Sequence, residues 1–128
     1  MAYNVISIED EHEIVELLRV VLRHPEINMY PAEDGEIGLV LLRQFKPDLV
    51  ILDIMMPGMD GWTVYDTIRS DPELCDLPVI ILSVLQERVE RKRAFASSDI
   101  DVYVTKPFDT VHLRSEIGRL LGRDDLWD

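Results

Sequence analysis

The stretch Leu49-Val50-Ile51-Leu52-Asp53 decides the fold. Four aliphatic residues in a row leave no polar face, so the segment reads as a strand buried on both sides, as in a parallel sheet covered by helices. It ends abruptly on a carboxylate. Working outward, the pattern repeats: Val5-Ile6-Ser7-Ile8 runs into Glu9-Asp10, Val79-Ile80-Ile81-Leu82 into Ser83, and Val102-Tyr103-Val104-Thr105 into Lys106. The carboxyl ends of such strands line one crevice, and ligands bind there. Three acids, a hydroxyl and an amine therefore gather at one sheet edge, a set suited to Mg²⁺-assisted phosphate chemistry.

Helical periodicity fills the gaps between strands. Ile14, Leu17, Leu18, Val21 and Leu22 form one apolar stripe that Pro25 ends. A second helix runs from Gly35 through Ile37, Leu39, Val40, Leu41 and Phe45 to Pro47, and a third from about Gly61 to Ser70 turns Val64, Tyr65 and Ile68 inward. A fourth, over about 86–97, is the least apolar. A fifth carries Leu113, Ile117, Leu120 and Leu121, with Asp109 or Thr110 as its N-cap. Strand–helix alternation of this kind predicts a three-layer α/β sandwich with right-handed crossovers. The second strand, near Ile27 to Ala32, contains Pro31, which cannot donate to a ladder and belongs on an edge. Strand order 2-1-3-4-5 satisfies this and places the switch point between the strands that deliver Glu9, Asp10 and Asp53.

At 128 residues the chain forms one domain, expected over 1–122, with 123–128 a C-terminal tail or the start of a linker. No run approaches the roughly 18 apolar residues of a membrane span, and the N-terminus lacks an export signal. Cys75 is the only cysteine, so no intrachain disulfide can form, and a reducing cytoplasm is the expected location. A net charge of −12 argues against direct contact with nucleic acid by this domain.

Mg²⁺ is a hard cation that takes one or two protein carboxylates and keeps several waters. Glu9, Asp10 and Asp53 suit it, whereas zinc would want a cysteine pair or histidine spacing that the sequence lacks. A cation that offsets the repulsion among these acids leaves one of them usable as a nucleophile toward phosphorus. Asp53, at the end of the most apolar strand, is the best candidate. Lys106 can neutralise phosphoryl oxygens and Ser83 can hydrogen-bond one. Glu11 and Glu13 read as solvated or helix-capping acids, and the methionines of Met55-Met56-Pro57-Gly58-Met59-Asp60-Gly61 as packing around a turn.

Together Glu9-Asp10-Glu11, Asp53 through Gly61, Ile81-Leu82-Ser83 and Tyr103-Val104-Thr105-Lys106-Pro107-Phe108 resemble the signature of two-component response regulator receiver domains, over about residues 3 to 121. The resemblance implies a flavodoxin-like (βα)₅ fold and phosphoryl transfer from a sensor histidine kinase or phosphotransfer protein to Asp53. It implies Mg²⁺, with Mn²⁺ as an alternative, at Glu9, Asp10, Asp53 and the Met55 backbone carbonyl. Ser83 and Lys106 would contact the phosphoryl group, and a cis peptide before Pro107 would aim Lys106. Ser83 and Tyr103 would act as a switch that reshapes the face of the fourth helix, fifth strand and fifth helix. Such a domain catalyses only its own phosphorylation and dephosphorylation. The mixed charges of that face, Arg88, Arg91, Lys92 and Arg93 with Asp101, Arg114 and Glu116, would suit pairing of two copies.

Four positions depart from the family pattern. Glu9 stands for the usual Asp, Ser83 for Thr, Val84 for a small residue, and Asp99 for a Gly. None removes a required group. Glu9 and Val84 are what favour the alternative of a pseudo-receiver that binds partners without phosphorylation. A dehalogenase-like phosphatase would want an acid two residues after Asp53, where Met55 stands, and a nucleotide site a glycine-rich turn where Glu9-Asp10-Glu11 stands.

Overall fold

A computed structural model describes residues 2–56, 58–83 and 100–128. The helix expected over 86–97 lies outside the described residues, as do Pro57, Val84 and Asp99. The described elements are β1 (Tyr3–Ile8), α1 (His12–Val21), β2 (Ile27–Ala32), α2 (Gly35–Phe45), β3 (Leu49–Asp53), α3 (Gly61–Ser70), β4 (Val79–Ser83), β5 (Asp101–Thr105) and the C-terminal helix α4 (Thr110–Leu121). All five strands are parallel, in the order β2-β1-β3-β4-β5. Pro31 lies on the edge strand, where the missing N–H costs no ladder bond.

Every residue of β3 and β4 is buried, as expected of strands covered on both faces. Side chains alternate between two cores. Ile6, Ile8, Val50, Leu52 and Ile81 pack with Leu39 and Leu42 of α2 and with Trp62, Val64 and Ile68 of α3. Val5, Leu49, Ile51, Ile80 and Leu82 pack with Leu18 and Val21 of α1 and with Leu113 and Ile117 of α4. The apolar stripes are narrower than the sequence suggests. Leu17 (39% exposed) and Ile37 and Val40 (40% and 59%) face away from the sheet, because a helix lying on a sheet buries only about a third of its circumference.

Side-chain caps fix where α2, α3 and α4 begin. Asp34, Asp60 and Asp109 accept hydrogen bonds from the Ile37, Thr63 and His112 amides at 2.8, 2.9 and 3.1 Å. Asp109, rather than Thr110, is thus the cap of α4. Gly61 allows α3 to start hard against β3: a Cβ there would lie 2.5 Å from Ile54 Cα and closer still to the Asp53 carbonyl oxygen. The residues after Gly122, expected as a tail, pack back on the domain. Leu126 is buried, Trp127 Nε1 donates to the Arg23 carbonyl at 3.2 Å, and Arg123 pairs with Glu26 at 3.2 Å.

Candidate functional site

The parallel register delivers the chemistry. Ile8 pairs with Leu52 and Asp53 with Leu82, so Glu9, Asp53 and Ser83 emerge from three adjacent strands at one level. All three are 1% exposed, whereas Asp10, one residue further into the loop, is exposed. One oxygen from each of Glu9, Asp10 and Asp53 lies within 4.8 Å of the others. Backbone bonds hold the strand ends together. The Glu9 amide donates to the Ala32 carbonyl at 3.0 Å, Ile54 to Leu82 at 3.2 Å, and Lys106 to Ser83 at 2.8 Å.

Lys106 sits over the carboxylates. Its Nζ is 3.1 Å from both Glu9 Oε1 and Asp53 Oδ1, and 3.8 Å from Glu11 Oε1. The Lys106–Pro107 peptide is cis. Glu9 Oε2 accepts from the Glu11 amide at 3.1 Å and Asp53 Oδ1 from the Met55 amide at 3.2 Å. Asp53 Oδ2 is buried and has no hydrogen-bond partner among the described residues.

Burial, and then the neighbouring Asp53 carboxyl, push Glu9 up to about 8, although the Glu11 amide and Lys106 pull the other way. Asp53 is also raised, chiefly by burial, against the lowering influence of Glu9, Lys106 and the Met55 amide. Burial opposes the charge on Lys106, but Asp53 and Glu9 outweigh it and raise its value. The pocket is thus short of positive charge. Three hard oxygen donors and one lysine fit a small divalent cation well, and an oxygen of Asp53 remains open for a ligand.

The response regulator receiver domain family model matches residues 5–118 of this chain. The chain belongs to that family. Among curated relatives of this receiver domain, a DNA-binding dual master transcriptional regulator, RpaA, of Synechocystis is 35% identical over 121 residues, covering 94% of this chain and 50% of the relative. The heme response regulator HssR of Staphylococcus aureus is 35% identical over 118 residues, covering 92% and 51%. The chain therefore spans about half the length of these relatives. In structure it resembles the signal receiver domain of a histidine kinase from Syntrophus aciditrophicus, with a TM-score of 0.83, 30% identity, and coverage of 94% of this chain and 91% of that one. A Francisella response regulator receiver domain gives 0.78 at 28% identity, covering 94% and 97%.

Glu9, Asp10, Asp53 and Lys106, singled out in the sequence, converge in the receiver's acid pocket, and Ser83 is buried at the adjoining strand end. Tyr103 lies further down β5, partly buried, its ring 6.1 Å from that of Trp62. Glu11, read as a bland acid, supplies a third carboxylate to Lys106; the lysine's position at the end of β5 was the available signal. The mixed-charge face needs correction. Asp101 does not project into solvent: its carboxylate is buried against Arg69, accepts from Tyr65 Oη at 2.7 Å, and ties β5 to α3. Arg114 is also committed, donating to the Val21 and Val20 carbonyls at 2.9 and 3.1 Å. Strand alternation alone gives no hint of Asp101's burial, because its partners come from a helix some thirty residues earlier. Arg88, Arg91, Lys92 and Arg93 lie outside the described residues.

Proposed function

We propose that this receiver domain is a phospho-acceptor, taking a phosphoryl group on Asp53 from a histidine kinase or phosphotransfer protein. The observation that carries the reading is the division of labour between the two Asp53 oxygens. Oδ1 is held by the Met55 amide and Lys106, while Oδ2 is buried without a protein partner among the described residues. A buried carboxylate oxygen left open costs stability unless a ligand or reaction uses it. In the transfer, an Asp53 oxygen forms a bond to phosphorus as the donor's phosphorus–nitrogen bond breaks. The bonding pair leaves with the imidazole.

Glu9, Asp10, Asp53 and the Met55 backbone carbonyl would hold Mg²⁺ or Mn²⁺, which when bound supplies charge neutralisation for the phosphoryl oxygens. Lys106 orients Asp53 and offers a second positive charge to those oxygens; Ser83, buried beside them, offers a hydrogen bond. Ser83 and Tyr103 then carry the change toward the partner-binding face. With Asp101 and Arg114 engaged within the molecule and Glu116 held by Arg119 at 2.8 Å, pairing of two copies there rests on residues outside those described. The chain turns over no separate substrate, and at net charge −12 it leaves any nucleic-acid contact to other parts of a longer protein. No described helix is long and apolar enough to cross a membrane. The reading assigns the domain to the cytoplasm.

Intact mass measured after incubation with acetyl phosphate tests this. One phosphoryl group should add in the presence of Mg²⁺ and none after chelation or in Asp53→Asn. Equal labelling of the wild type and the variant would overturn the assignment. A pseudo-receiver would take up no phosphate under any of these conditions.

A further inference from the structure

Alternate residues of a strand share one face, and helix residues three and four apart share one stripe, so a helix laid on a strand can meet it side chain by side chain. Trp62, Tyr65 and Arg69 of α3 meet Asp101 and Tyr103 of β5 in this way. At one end Arg69 and the Tyr65 hydroxyl bind the buried Asp101 carboxylate, the hydroxyl at 2.7 Å. Arg69 also donates to the Cys75 and Leu77 carbonyls at 3.2 and 2.7 Å, which ties the segment after α3 into the same cluster. At the other end the rings of Trp62 and Tyr103 lie 6.1 Å apart, inclined at 57°. Tyr65 joins the two ends. Its ring stands nearly perpendicular to the Trp62 indole at 5.7 Å, and the Arg69 guanidinium lies over it at 5.2 Å.

The two rings at the upper end are held differently. Trp62 is buried in the same core as Ile81, the β4 residue that pairs with Tyr103. It follows Gly61, whose close approach to Ile54 fixes the start of α3 against the strand end that carries Asp53. Tyr103 is half-buried, on a strand whose residues other than Val104 are all partly exposed. Aromatic pairs at centroid separations of about 4.5–7 Å add stabilisation beyond their burial, so the fixed indole rewards one placement of the phenol. We propose that Trp62 is the positioning residue of the Tyr103 switch: the indole seats the phenol in the inward position that a loaded Asp53 favours, and the Arg69–Asp101–Tyr65 cluster keeps β5 in register with that seat. The inference rests on Asp53 being the acceptor. A group that stabilises one of two states strengthens every ligand that selects the same state. Removing the seat should therefore weaken a phosphoryl mimic at Asp53 by about two- to tenfold, the range an aromatic pair can supply.

Beryllium fluoride in saturating Mg²⁺ is the mimic, titrated against the full chain and followed by fluorine-19 NMR. The proteins are the wild type, Trp62→Leu, Tyr103→Leu and the double variant, each checked for folding by circular dichroism. Trp62→Leu should weaken the mimic several-fold when Tyr103 is present and have no further effect in Tyr103→Leu, and Trp62→Phe, which keeps a ring, should retain most of the affinity. A loss of equal size in both backgrounds, as a general packing defect produces, or no loss in either, would overturn the seat while leaving Asp53 as acceptor. A second measurement keeps Trp62 in place. In Trp127→Phe it is the sole tryptophan, and its emission should shift when the mimic binds and cease to shift once Tyr103→Leu is added. Emission that ignores the bound mimic, or responds equally without the Tyr103 ring, would also overturn the seat. Failure of the mimic to bind the wild type, or equal binding to Asp53→Asn, would instead remove the acceptor reading, and this inference with it.

Discussion

Replacing Gly61 by Ala perturbs the joint that places Asp53. The new Cβ would lie 2.5 Å from Ile54 Cα and even nearer the Asp53 carbonyl oxygen, both backbone atoms of the strand end that cannot rotate away. Restoring ordinary contact at about 3.5 Å requires α3 to retreat by on the order of 1 Å. That movement strains the bond from the Gly61 amide to the Ile54 carbonyl, now 3.1 Å. Overpacking costs about 1–3 kcal/mol and a weakened hydrogen bond about 0.5–1.5 kcal/mol, so a loss of about 2–4 kcal/mol is expected. Gly38→Ala is the control. The nearest atoms to its Cβ all belong to the Ile8 side chain, Cδ1 first and then Cγ1 at 2.7 Å, and a side chain can shift where backbone cannot, while a mid-helix alanine recovers about 1 kcal/mol of propensity. Urea unfolding followed by circular dichroism should therefore rank Gly61→Ala well below Gly38→Ala, and only the former should slow phosphorylation of Asp53. Equal stabilities, or a Gly38→Ala variant that is the weaker of the two, would refute the reasoning.

Four further outcomes follow from the same geometry. Arg69→Met leaves the Asp101 carboxylate buried with the Tyr65 hydroxyl as its remaining partner among the described residues and should cost about 3–5 kcal/mol in urea unfolding, part of which a second change, Asp101→Leu, should recover. Burial, and then the hydrogen bond to Asp101, raise the Tyr65 phenol; the folded state keeps its proton while the unfolded chain ionises from about pH 10, so stability should fall more steeply above that pH in the wild type than in Tyr65→Phe. Leu126→Ala removes a buried side chain from the docked C-terminal residues and should cost about 2–3 kcal/mol, with faster amide exchange from Arg123 onward. Met55, 56% exposed beside Asp53, cannot position a water for attack, so the phosphorylated state should persist and Met55→Asn should shorten its lifetime in a dephosphorylation time course.

Strands and their order were legible because apolar runs and one proline encode them locally. The run Leu49–Leu52 could only be a strand buried on both faces, and Pro31 could only sit at an edge. The acid pocket was legible for the same reason: in a parallel sheet, the residue after each run must reach the same end, so sequence position becomes spatial position. What stayed hidden depends on partners distant in sequence. Asp101 looks like a surface charge until Arg69 and Tyr65 of α3 are brought against it. Leu126 and Trp127 look like the fringe of a tail until β1, α1 and α4 offer them a surface. The exposed faces of Leu17 and Val40 carry the same letters as the core, and only the width of the buried stripe separates them.

The central claim is that the carboxylate of Asp53 itself becomes an acyl phosphate. Borohydride reduces an aspartyl phosphate to homoserine but leaves a free carboxylate and a phosphorylated hydroxyl intact. Trapping after phosphorylation in Mg²⁺, followed by digestion and peptide mass mapping, should place homoserine at position 53 and nowhere else. Aspartate intact at position 53 in protein whose mass shows a phosphoryl group, or homoserine at Asp10 or another acid, would contradict the account.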